Sequence, residues 1–113
     1  MLDYEKLDVY KKSIELLALV VVVIEQIPRG NSPLADQLKR ASFSIPLNIA
    51  EGVGKTSLPD KQRFYAIARG SAMECAAILD VLKISKLLDM QKHKDTKNLL
   101  IRIVGMLSKM CTY

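Results

Sequence analysis

The sequence predicts an all-α fold, an antiparallel up-down-up-down four-helix bundle, and three observations predict it. Apolar residues recur at helical spacing through four long segments. Turn signals fall at only three places, 28–33, 52–59 and around 90–95. The connections they leave are short, which sets consecutive helices antiparallel. The 113 residues suffice for one domain with a real core, spanning 1–113, and are too few for two.

The first helix is expected from about residue 3 to residue 27. Leu7, Tyr10, Ile14, Leu17, Val21 and Ile24 form its apolar stripe. The β-branched run Val20–Val23 also suits a strand, but the helical period begins well before it. Pro28 and Gly30 stop the helix. The second helix opens with Asn31 or Ser32 as N-cap and Pro33 in its first turn, and ends near Gly52. At 100° per residue, Gln37, Arg40, Ser44, Asn48, Glu51 and Lys55 fall on one narrow polar ridge. Leu34, Leu38, Ala41, Ile45, Ile49 and Val53 fall on the core face.

Pro46 interrupts this helix in a stretch reading SFSIPLNIAEG. It lacks an N–H and crowds the carbonyl of Ser42, at a cost of about 3 kcal/mol in a regular helix. The expectation is a kink at Pro46, or a break with Ser44 as a local cap. The third helix opens with Ser57 as N-cap, Pro59 in the first turn and Asp60 at the positive dipole end. It runs to about residue 89. Arg63, Ser71 and Glu74 form a matching ridge, so that Glu51 is expected to meet Arg63 and Glu74 to meet Arg40. Ala66, Ala68, Ala72, Ala76 and Ala77 add small residues that allow close approach of another helix. The fourth helix spans about 91–111, with Leu99, Leu100, Ile103, Met106, Leu107 and Met110 as its stripe. Gly52 and Gly54 read as a C-terminal cap and turn.

Half the residues are hydrophobic and mean hydropathy is +0.13. That is high for a small monomer and predicts self-association. The longest apolar run, Leu16–Ile24, is nine residues between two glutamates, far short of the roughly 20 that a bilayer requires. The expectation is a cytoplasmic protein outside the membrane. Cys75 and Cys111 have no metal-type spacing and read as reduced core or interface residues. The single histidine, His93, lies in the charged string KHKDTK and reads as solvated surface.

Catalytic, cofactor and metal sites are not expected. EGVGKTS lacks the first glycine of a phosphate-binding loop, because position 49 is isoleucine, and it follows a helix rather than a strand. No paired E-x-x-H marks a di-iron bundle. The net charge of +5 and pI near 9.3 are compatible with nucleic acid. Candidate phosphate contacts are Lys39, Lys55 and Lys61 around the second and third helices, and Lys92, Lys94 and Lys97 at the start of the fourth. The absence of an aromatic platform argues for salt-dependent backbone contact rather than base stacking.

SIPLNIAEG at 44–52 and RFYAIARGSAMEC at 63–75 resemble the two signature blocks of the four-helix-bundle proteins named after 23S rRNA intervening sequences, also called the S23 ribosomal protein family. LDVYKKSIEL at 7–16 and LADQLKRASFSIP at 34–46 fit the same pattern. Lys55 stands where arginine is usual, Cys75 for a leucine, and Ala76 where many relatives carry a second glutamate. The resemblance implies a bundle that assembles into a ring-like homo-oligomer, with a homopentamer favoured, and no enzymatic activity. It relates the chain to the accessory protein of diversity-generating retroelements, which works with a reverse transcriptase and nucleic acid. It therefore implies RNA or DNA and a polymerase-like protein as partners. The reading is a binding protein that presents basic surface to nucleic acid, or alternatively a protein-binding adaptor.

Overall fold

A computed structural model describes residues 1–111. It contains four α-helices, and no strand occurs among the described residues. After a short 3-10 turn at Asp3–Lys6, α1 spans Asp8–Glu25, α2 Ser32–Val53, α3 Leu58–Ile84 and α4 Met90–Cys111. Each helix packs on its two neighbours. α1 lies against α2 and α4, and α3 lies against α2 and α4, so α1 and α3 are diagonal. The result is a four-helix bundle 44 Å long. No helix among the described residues is long and apolar enough to cross a membrane.

The core face of α1 differs from the expected stripe. Val9, Leu16, Val20 and Val23 are buried, whereas Ile14 and Val21 are exposed. The buried line also passes through Ser13, whose hydroxyl donates to Tyr10 O at 2.6 Å and so needs no water. In α2 the expected face is the observed one, with Leu38, Ala41, Ile45 and Ile49 buried. In α4 the core is Thr96, Leu100, Ile103 and Leu107. Thr96 satisfies its hydroxyl on Lys92 O and His93 O.

α2 runs uninterrupted through Pro46, so the break expected there does not form. Pro46 is buried, Ser42 turns its hydroxyl to Lys39 O at 3.1 Å, and Ser44 is used elsewhere. α3 begins as expected, with Ser57 Oγ accepting from Asp60 N at 3.2 Å. It stops at Ile84, earlier than expected, in a turn where Lys86 has φ 61°. That left-handed position normally favours glycine.

Gly52 is not a cap. It lies inside α2 and is buried against α3. A Cβ there would stand 2.6 Å from Tyr65 Cε1 and 3.2 Å from Lys61 O. The glycine lets the end of α2 press onto the start of α3. Small side chains serve the same end further along. Ala68, Ala72 and Cys75 are all fully buried in the core of α3. Ala72 therefore does not face a partner, which overturns the reading of the alanines as an assembly surface at that position. Burial, with Glu74 adding to it, pushes the Cys75 thiol up to about 12. Both Cys75 and Cys111 are free, Cys75 in the core and Cys111 half-buried.

Candidate functional site

The polar ridges of α2 and α3 meet at one seam. Ser44 Oγ and Ser71 Oγ lie 2.7 Å apart, one hydroxyl donating to the other. Asn48 Nδ2 donates to both Ser44 O at 2.8 Å and Ser44 Oγ at 2.9 Å. Both amide protons are thereby used. The two hydroxyls hold two protons and share one bond, so one proton remains for an acceptor outside the pair. Gln37, Arg40, Ser44, Ser71 and Glu74 line a cavity of about 210 Å³ over this contact. The seam thus joins Ser44, Asn48 and Ser71 by bonds, with Arg40 and Glu74 on the same cavity.

Two expected ion pairs are absent. Glu51 pairs with Lys55 one turn on, at 3.1 Å, rather than with Arg63. Arg63 lies 4.0 Å from Asp60 and stacks on Phe64. No ion pair joins Arg40 to Glu74 among the described residues. Their proximity in sequence gave Lys55 and Asp60 the advantage, since groups three or four apart on one helix meet without any tertiary register. These differences set distinct costs. Asn48→Ala strips two bonds from a half-buried seam and is expected to lose about 1–3 kcal/mol. Glu51→Ala removes one exposed pair and is expected to lose under about 0.5 kcal/mol. Urea unfolding of the two variants side by side measures the difference.

The candidate phosphate contacts are scattered. Lys61 Nζ donates to Val53 O at 2.8 Å and closes the end of α2. Lys55 is held by Glu51 and lies over the Phe64 ring, and Lys39 lies over Phe43. Lys92 bonds Gln26 Oε1 at 2.8 Å and pairs with Asp89. Lys97 Nζ is 2.7 Å from Asp80 Oδ1. Lys94 makes no ion pair among the described residues. One end of the bundle gathers further cations. Lys83 and Lys86 line a recess there with Gln26 and Asp89.

His93 is not simply solvated. Its Nε2 lies 2.7 Å from the same Asp80 oxygen that Lys97 contacts, so one carboxylate on α3 ties down two side chains of α4. A carboxylate only accepts, which places the proton on Nε2. The bond to Lys97, and then that to His93, holds the Asp80 carboxyl below the usual carboxylate range. A lowered folded-state value means stability that is present above the ordinary aspartate range and lost as pH falls through the folded one. The stability difference between the native chain and Asp80→Asn should therefore be constant at neutral pH and shrink on acidification. Because Asp80 is exposed, the difference is expected to stay under about 1 kcal/mol.

The only trace of the Asp80 cluster in the sequence is the presence of Asp80, His93 and Lys97 on either side of a turn. The Gly52–Tyr65 contact had a weak signal, a glycine in an otherwise helical period.

The model of the 23S rRNA-intervening sequence protein family matches residues 5–109. The chain belongs to that family. A crystal structure described as a protein with unknown function from the S23 ribosomal protein family of Bacteroides thetaiotaomicron has the same fold. The TM-score is 0.84 at 21% identity, over 93% of this chain and 99% of that one. No curated protein matches significantly. Within this intervening-sequence family chain, the block NIAEG divides physically. Asn48 orders the serine seam, Gly52 admits Tyr65, and Glu51 is an exposed partner of Lys55.

Proposed function

We propose that this family member is a non-enzymatic, self-assembling bundle that binds RNA or DNA through basic surface of the oligomer. Its helices run up-down-up-down, in keeping with Ser44 meeting Ser71 and Gly52 meeting Tyr65, where positions rise on α2 as they fall on α3. α2 bends at Pro46, whose missing N–H leaves the bend cheap. The assembly is a closed ring, a homopentamer by family resemblance, in a reducing cytoplasm that suits two free cysteines.

The observation that carries self-assembly is the apolar surface on two diagonal helices. Ile14, Leu19, Val21 and Val22 on α1 are exposed, as are Ile67, Met73, Val81 and Ile84 on α3. Outward apolar surface on this scale, on a chain this small, supports an interaction face. Light scattering at micromolar concentration is expected to give several times the 12.6 kDa chain mass. A monomer would end this reading.

Nucleic-acid contact is supported by the cations at the end where α3 turns into α4. Lys83, Lys86 and Lys94 form no ion pair among the described residues, and a ring brings copies of them around one axis. Lys86 keeps a long cationic side chain where backbone geometry favours glycine. Anisotropy titration of a mixed-sequence RNA at low and moderate salt should show steeply salt-dependent binding. Lys83/Lys86/Lys94→Ala should abolish most of it. No binding at low salt would favour the second reading, an adaptor for a polymerase-like protein. That reading is supported by the engagement of Lys55, Lys61, Lys92 and Lys97 within the chain.

A further inference from the structure

We propose that the α2–α3 seam is the socket for α1 of a second copy of this chain, with Arg40 and Glu74 as its charged register marks. The inference rests on the self-assembly reading above and assigns the two surfaces that meet.

The socket has a definite layout. Arg40 and Glu74 stand across one cavity, opposite in charge and paired with nothing among the described residues. Beside them is the serine pair with its uncommitted hydroxyl proton. Seven residues along α2 from Arg40 is Leu47, 67% exposed, and seven residues back along α3 from Glu74 is Ile67, 44% exposed. Phe43 is exposed beside them. Charge therefore occupies one level of the groove, and apolar side chains occupy a level two helical turns away, about 10 Å. Between these levels the wall of α3 contains Gly70, where a Cβ would meet nothing within 4 Å. Mid-helix glycine weakens a helix, and no packing inside this chain requires it. It leaves room for a backbone from outside.

The outward face of α1 has a complementary layout, with charged and apolar side chains again two helical turns apart. Lys11 and Glu15 are exposed one turn apart, and Val22 is exposed seven residues beyond Glu15, with Ala18 between them. Laid along α2 in the same direction, Glu15 reaches Arg40 and the free hydroxyl proton, and the long side chain of Lys11, one turn earlier, extends along the groove toward Glu74. Val21 and Val22 then meet Leu47 and Ile67, the small Ala18 falls near Gly70, and Glu25 comes to Arg63. In the single chain Glu15 is held only by an exposed contact with Lys12 three residues away, 2.9 Å, which is easily exchanged. The two surfaces differ and belong to different helices, so the contact is heterologous and propagates until it closes.

Two variants separate the surfaces. Ile14→Glu/Val22→Glu spoils the α1 face, and Leu47→Glu/Ile67→Glu spoils the socket. All four positions are exposed, so helix content by circular dichroism should match the native chain. Each variant alone is expected to run as a monomer by light scattering. Mixed one to one, they retain one good surface each and are expected to form a species of twice the 12.6 kDa chain mass and nothing larger. Arg40→Glu should weaken assembly at least ten-fold, and Arg40→Glu/Glu15→Arg should restore it. Assembly of both spoiled variants, failure of the mixture to pair, or no rescue by the charge exchange would each overturn the docking assignment while leaving self-assembly standing. A native chain that is monomeric at tens of micromolar would overturn both.

Discussion

Ala72→Glu is expected to unfold the bundle rather than merely to disperse an oligomer. Ala72 is 0% exposed in the middle of α3. A carboxylate placed there has no partner and no route to water. The penalty for an uncompensated buried ion is several kcal/mol, against a total margin of about 5–15 kcal/mol for a domain. The new glutamate escapes part of this by staying protonated, so its folded-state pKa is raised above the ordinary value near 4.3. A raised acid loses stability as pH rises, and the defect should therefore ease on acidification. Thermal unfolding between pH 4 and 8 tests this. A variant that stays folded at pH 8 with the native midpoint would show that Ala72 is not in the core.

Gly52→Val is expected to cost about 3 kcal/mol, the upper part of the range for overpacking. The nearest obstacle is the Tyr65 ring at 2.6 Å, and that ring is itself buried. Behind it stands the backbone carbonyl of Lys61. Neither yields without moving the end of α2 away from α3. The informative control is Ala at Gly70 or Gly105, where a Cβ meets nothing. There the substitution should raise the stability of the dilute chain by about 0.5–1 kcal/mol. Urea midpoints at these glycines should thus move in opposite directions. Equal shifts at Gly52 and Gly105 would remove the packing argument.

How much of this was legible in the sequence depends on how one-sided each helix is. α2 has polar residues on one side and apolar on the other, so its period alone marks the core face at Leu38, Ala41, Ile45 and Ile49. α1 is apolar nearly all round between Leu16 and Ile24. Periodicity there has no unique phase, and the stripe through Ile14 and Val21 pointed outward. Ser13 compounded the error, because a hydroxyl that bonds its own helix can be buried like a small apolar group. The ridge around Asn48 was visible as a ridge, but its bonding was not. Ser44 and Ser71 are 27 residues apart, and spacing along one helix says nothing about which pair will touch across two. The ion pairs failed for the converse reason, since Glu51 has a cation one turn away on its own helix. Local rules make Pro46 an interruption, whereas burial against the bundle holds α2 continuous through it.

The unequal sharing of surface among the four helices bears on the order in which they form. α2 and α3 have the most extensive interface, and α1 touches its two neighbours least. α2 and α3 are also consecutive, so the chain closes only a short loop to bring them together, and loop closure is the main entropic barrier to early contacts. The pair should therefore be the folding nucleus, with α4 and then α1 docking onto it. Backbone amides of α2 and α3 should exchange with solvent last, at the free energy of global unfolding, while those of α1 open in smaller fluctuations. A helix that detaches readily from its own bundle is also the one most open to exchange between copies, so slow subunit exchange and local opening of α1 should follow one rate.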